Sequence, residues 1–187
     1  MGRLEVRAAV TAYFQNAANP NNSTIPGYIP YVGTVYPARP LIVEETAYEE
    51  TMNGLLVAAS PTGGGAVLVV NIPTDARARK ALTGRGAVND LWDHHIALEV
   101  WYSNVGGEGI TAQQDYDSII DQIIYDIRAD PTLGAPLVIW SAGEYEPNIT
   151  HEQSLPKTSG DGLTIFINGV VRFDAQEWLN QGVTPPS

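Results

Sequence analysis

The spacing of apolar residues along the chain changes several times, and each spacing predicts an element. Val6, Val10, Tyr13, Phe14 and Ala17 recur at i, i+4, i+7, i+8 and i+11, which is one face of a helix over residues 4–17. Asn19-Pro20-Asn21-Asn22 stops it. Prolines at 20, 26, 30, 37 and 40 then predict an extended arm over about 19–40 with little regular structure, because proline fixes φ and removes a donor. Tyr28, Ile29, Tyr31, Val32, Val35 and Tyr36 lie in this arm, more aromatic and β-branched groups than a free linker needs. The arm is therefore expected to pack, either on its own domain or on a neighbouring subunit.

Leu55 to Ala59 and Ala66 to Ile72 are short apolar runs on either side of Ser60-Pro61-Thr62-Gly63-Gly64-Gly65, a pattern that predicts a hairpin. Val67, Leu68, Val69 and Val70 are continuous, as in a strand buried on both faces. A polar, basic excursion over 74–90 follows, with Gly84 and Gly86. From His95 to Tyr102, Ile96, Leu98, Val100 and Tyr102 alternate with Ala97, Glu99 and Trp101, which predicts a strand ended by Gly106-Gly107-Glu108-Gly109.

The longest helix is predicted over 111–130. Thr111 and Gln114 have the spacing of a capping box, and Tyr116, Ile119, Ile120, Ile123, Ile124 and Ile127 form one wide stripe. Asp115 and Asp117 complement its N-terminal dipole, and Asp130-Pro131 stops it. Strands are expected at Leu137 to Trp140 and Leu163 to Ile167. Asn168-Gly169 predicts a two-residue turn into a return strand, Val170 to Phe173. The fold class expected is α+β: a mainly antiparallel sheet with the 111–130 helix packed on one face and the N-terminal helix beside it. One domain is expected over 1–180, with a flexible tail over 181–187.

Composition narrows the chemistry. Across 187 residues there is no cysteine, which excludes disulfides, zinc–thiolate sites, iron–sulfur clusters and thiol nucleophiles. No apolar run approaches the roughly 20 residues that span a bilayer. Met-Gly-Arg-Leu-Glu-Val-Arg at the N-terminus carries no signal-peptide core, and Val6 stands where a myristoylation signal needs Ser or Thr. Synthesis in the cytoplasm is expected. The formal net charge is −11, which repels nucleic-acid phosphates in the absence of a basic patch. Four of the ten positive charges fall at Arg77, Arg79, Lys80 and Arg85, while acids gather at Glu44, Glu45, Glu49 and Glu50. The asymmetry suggests complementary surfaces.

No constellation carries catalysis. His94 and His95 adjoin Asp90 and Asp93, but neighbouring residues on a strand point to opposite faces and do not ligate one metal together. Gly63-Gly64-Gly65 precedes a strand, whereas phosphate loops follow one, and Gly84-Arg85-Gly86 is equally weak. No Gly-x-Ser-x-Gly elbow frames Ser154 or Ser159 beside His151. Glu144 and Glu146 share a strand face by spacing but lie in one loop-rich segment rather than across a cleft. Asn22-Ser23-Thr24 and Asn148-Ile149-Thr150 match the glycosylation sequon, without a leader to give either a use. No catalytic, cofactor-binding or metal-ligating residue is assigned.

The strand Ile96-Ala-Leu-Glu-Val-Trp-Tyr102 is followed by a Gly-rich gap and the helix Asp117-Ser-Ile-Ile-Asp-Gln-Ile-Ile-Tyr-Asp-Ile-Arg128. Asp130-Pro-Thr-Leu-Gly134 and the terminal strand Gly162-Leu-Thr-Ile-Phe-Ile-Asn-Gly169 come next. This succession resembles the tail terminator and related neck subunits of long-tailed bacteriophages, over about residues 1–17 and 90–180, in pattern and without a diagnostic motif. The resemblance implies an α+β sandwich behind an N-terminal helix, no catalytic residues and no cofactor. It implies a virion protein forming a ring of copies, six in the family, that caps the tail tube and joins it to the head. The partners implied are the chain itself, the tail tube protein, a head-completion or connector protein, and DNA passing through the lumen without specific binding.

On that view Glu44, Glu45, Glu49 and Glu50, or acids of the 111–130 helix, face the channel. Arg77, Arg79, Lys80 and Arg85, with Tyr28, Tyr31 and Tyr36 of the arm, are the expected interface residues. A head-completion or other minor tail protein is the alternative within the virion. A ligand- or protein-binding module, or a divergent hydrolase using His94, His95 or His151, are the alternatives outside it.

Overall fold

A computed structural model describes residues 3–21, 25, 27–39, 45–60, 62–81, 88–133, 140–141 and 149–181, without side-chain detail for 45–47, 59, 74–81, 88–92, 140–141 and 176–181. The first helix, α1 (Arg3–Ala17), forms as its stripe predicts and buries Val6, Val10, Tyr13, Phe14 and Ala17. The arm is more regular than its prolines suggest. It holds a strand, β1 (Val32–Tyr36), in the proline-free stretch after Pro30 and before Pro37. Ile29, Val32 and Val35 are buried, and the Ile29 N–H donates to the Ala17 carbonyl at 3.0 Å, so this arm packs on its own domain. β1 is the sheet's edge, and the Val35 N–H donates to the Gln15 side chain of α1 at 3.0 Å, which blunts that edge.

The next element corrects the sequence reading. Leu55 to Ala59 is no strand of a hairpin but the end of a second helix, α2 (Glu45–Ala59). Tyr48, Met52, Leu55 and Leu56 fall at i, i+4, i+7 and i+8, and all four belong to one apolar cluster. After it run β2 (Gly63–Ala81), β3 (Val88–Val105) and α3 (Gly109–Ala129). The basic excursion over 74–90 is thus mostly strand, and His95 lies well inside β3 rather than at its start. The capping box is not used either. The N-cap of α3 is Glu108, with no side-chain hydrogen bond, and Thr111 sits within the first turn.

Three short strands, β4 (Trp140–Ser141), β5 (Thr150–Gln153) and β6 (Lys157–Thr158), precede β7 (Thr164–Gln181). Most of the strand expected at Leu137 to Trp140 lies outside the described residues. Asn168-Gly169 makes no turn: β7 passes through it unbroken, with Asn168 opposite Trp101 and Gly169 opposite Val100.

The described strands form one mixed sheet in the order β1-β2-β3-β7-β4, with β5 and β6 also on β7. β1 pairs with β2 in parallel, and every other pair is antiparallel. The α+β class therefore holds, while the sheet is mixed. α1 and α3 share one face. Phe14, Ile119 and Ile123 pack there with Leu68, Val70, Leu98, Val100, Tyr102, Val171 and Phe173. On the other face, α2 sets Met52 and Leu56 against Val67, Val69 and Trp101, with Tyr36 and Phe166 beside them. Residues 66–70 are accordingly buried on both faces, as their continuous apolar run requires. Full burial of one such side chain stabilises by about 1.5–3 kcal/mol, so the larger cluster holds most of the fold.

β3 and β7 stay paired along their whole length, from Val105 opposite Thr164 to Val88 opposite Gln181, and β2 follows β3 from Gly63 opposite Val105 to Ala81 opposite Val88, apart from an irregularity between Asn71 and Thr74. Beyond the register of His94 with Ala175, both buried, this three-stranded ladder continues for six more residues. That is roughly 20 Å at 3.3 Å per residue.

Candidate functional site

The alternation of β3 that buries Ile96, Leu98, Val100 and Tyr102 under α1 and α3 turns Ala97, Glu99 and Trp101 to the α2 side. A carboxylate in that row must be paired, because burying an isolated charge is costly. Glu99 is only 3% exposed. Arg39 Nε donates to Glu99 Oε1 at 2.6 Å, and the Tyr48 hydroxyl donates to Glu99 Oε2 at 2.9 Å. Trp101 Nε1 reaches the same oxygen at 3.5 Å. The Arg39 guanidinium lies 5.3 Å from the Tyr48 ring centroid, and Tyr48 meets Trp101 edge-on at 5.5 Å. Burial, and then the Glu99 charge, push the Tyr48 hydroxyl above its ordinary pKa, which keeps it a donor.

α2 packs on β2 and β3 and leaves the β7 part of this face less covered. There a groove of about 400 Å³ opens, lined by Arg39, Tyr48, Glu99 and Trp101 on one side and by Glu152, Gln153, Ser154, Asn168 and Val170 on the other. Sheet register assembles it: Glu99 is opposite Val170, which is opposite Glu152, and Trp101 is opposite Asn168. Two ion pairs lie near it, Lys157 Nζ with Glu49 Oε1 at 2.6 Å and Arg172 Nη1 with Glu152 Oε2 at 2.7 Å. The groove offers an arginine, two ion-paired acids, amides and an aromatic wall to a polar guest.

Among the described residues, the expected site residues fall on different elements. Arg77, Arg79 and Lys80 occupy β2 positions opposite Trp92, Asp90 and Asn89, and Arg85 lies outside the described residues. Glu44 also lies outside them. Glu45 opens α2, Glu49 pairs with Lys157, and Glu50 is exposed. Tyr28 is 47% exposed. The Tyr31 hydroxyl donates to Asp115 at 3.0 Å on the α3 side, whereas Tyr36 packs in the α2 cluster on the opposite face. The three tyrosines therefore form no single patch.

Nor do the histidines gather. His94 is buried, while His95 Nδ1 pairs with Asp174 at 2.5 Å. His151 Nε2 lies 3.1 Å from the Tyr116 hydroxyl under α3, away from Ser154 in the groove, and burial lowers its pKa against the raising effect of Asp117. Among the described residues no group of three His, Asp or Glu side chains is placed to hold a metal ion. Glu144, Glu146, Asn22 and Asn148 lie outside the described residues.

A second polar cluster ties the arm to α3. Tyr102 donates to Asp115 at 2.7 Å, on the carboxylate that also accepts from Tyr31, and Asn104 donates to the Tyr102 hydroxyl at 3.1 Å. Asp126 is fully buried, and Gln122 donates to its Oδ1 at 2.9 Å. Its Oδ2 has no hydrogen-bond partner among the described residues, and burial raises its pKa.

Sequence reasoning missed the groove. The available signal was Glu99, an acid in the middle of an otherwise apolar strand two residues from a tryptophan. No protein-family model matches the sequence, and no curated protein aligns with it.

Proposed function

We propose that the chain is a structural subunit that assembles with copies of itself into a closed ring, of the kind formed by the tail terminators of long-tailed bacteriophages. The observation that carries this reading is the β2–β3–β7 ladder, paired for six residues beyond the register of His94 and Ala175. A paired ladder of this length offers a surface to a second copy, and contacts between copies give it a use. A head-to-tail contact of this sort closes into a ring when its rotation allows. The α+β sheet with α3 across one face agrees with the succession of elements that the resemblance rests on.

In this role the tail tube protein and a head-completion or connector protein are the neighbours above and below, and the protein resides in the virion. The net charge of −11 suits a channel through which DNA passes without adhering, since phosphate contacts need cations. Glu49 and Glu50 of α2 are the described candidates for the lumen. Light scattering on the purified chain is expected to give a multiple of 20.2 kDa, with six copies as the expected ring. A single-chain mass at every concentration up to millimolar sinks the reading. A ring that leaves the ends of purified tail tubes bare keeps self-assembly and removes the terminator role.

A further inference from the structure

We propose that the groove beside α2 is a binding site for a neutral, polyhydroxylated guest, a short saccharide. The inference goes beyond the assembly reading and does not depend on it. Unspent polarity is the first argument. Asn168 lies inside β7 opposite Trp101, where asparagine is a poor strand former, and it lines the groove. Ser154 lines it too, held beside Asn168 because its N–H donates to the Asn168 carbonyl at 2.9 Å. Neither the Asn168 side-chain amide nor the Ser154 hydroxyl has a hydrogen-bond partner among the described residues. Each of these groups both donates and accepts, and so does every hydroxyl of a sugar.

Charge is the second argument. The charged residues lining the groove are Arg39, Glu99 and Glu152. Arg39 pairs with Glu99 at 2.6 Å and Glu152 with Arg172 at 2.7 Å, so their charges are matched within the protein. An ionic guest has to displace a partner, whereas a neutral one hydrogen-bonds to the pairs as they stand. Shape is the third argument. The groove holds about 400 Å³, at the small end of the range for ligand sites. Its aromatic wall is crossed: the Arg39 guanidinium lies over the Tyr48 ring, and Tyr48 meets Trp101 at 90°. Perpendicular rings make no slot for a flat base, but they give apolar contact to the C–H groups of a sugar ring.

The test is isothermal titration calorimetry on the full chain, with maltose, cellobiose, trehalose and N,N′-diacetylchitobiose in turn. At least one is expected to bind with a Kd of about 1 mM or tighter. That Kd is expected to hold from about 0.02 to about 0.3 M salt, because no charge is exchanged. Asn168→Val, which keeps a strand former in β7, and Ser154→Ala are each expected to weaken the binding about tenfold. Circular dichroism checks that both variants are folded, and if Asn168→Val is not, Ser154→Ala decides alone. No heat from any of the four disaccharides up to about 20 mM overturns the proposal. Binding that survives the substitutions unchanged lies elsewhere on the chain and overturns the site. Adenosine, acetate or methylguanidinium bound in place of the sugars, and weakened by the same substitutions, overturns the class of guest.

Discussion

At Gly169, β7 passes beneath Tyr116 so closely that a Cβ would meet the tyrosine hydroxyl, the Glu152 carbonyl at 2.6 Å and the His151 ring. The glycine is there for close approach of a side chain, not for a turn. Gly169→Ala is expected to displace Tyr116 and cost about 1–3 kcal/mol, typical of overpacking. The readout is a lower urea midpoint with an unchanged m-value. Asp126 makes a second test. Its folded pKa lies above the ordinary 3.8 because it is buried, with Gln122 only partly opposing. From 3.8 up to that raised value the folded state binds more protons than the unfolded one, so this group's contribution is lost as pH rises. Relative to Asp126→Asn, which cannot ionise, the wild-type urea midpoint is expected to fall as pH increases from about 3.8 and then level off. Parallel profiles for the two proteins would show that another group titrates.

Among the helices, α2 rests on the smaller cluster. Met52 and Leu56 are its described fully buried side chains, while α3 buries Ala112, Tyr116, Ile119, Ile120, Ile123, Asp126 and Ile127. Met52→Ala is expected to cost about 2–5 kcal/mol, and hydrogen exchange locates the loss. Protection should drop across α2 while α3 keeps its own; an equal drop in both would mean that the two faces of the sheet unfold as one unit. The same contrast explains what could be read in advance. The stripes of α1 and α3 are complete within their own segments, so both were legible. The stripe of α2 emerges only when Tyr48 and Met52 are joined to Leu55 and Leu56 across a run of acids. Asn168-Gly169 and Thr111-x-x-Gln114 misled for one shared reason: a glycine or a threonine has several uses, and only packing decides among them.

For the molecule as a whole, the α+β class and one helix-bearing face were legible, and the groove was not. Arg39, Tyr48, Glu99, Trp101 and Glu152 come from an arm, a helix and two strands, and only the register of β3 with β7 and of β7 with β5 brings them into one place. No local pattern encodes such a meeting. That register also orders events in time. Val88 pairs with Ala81 across six residues and with Gln181 across α3 and everything after it. The near partner can be found in roughly 1–10 μs, whereas the distant one waits on closure of a long loop, which puts the full ladder nearer the millisecond-to-second range. During that interval β3 presents an unpaired edge able to capture any strand nearby. Copies that meet before β7 is in place are therefore expected to tangle rather than assemble, and the slow strand sets the earliest moment at which a chain is fit to join another.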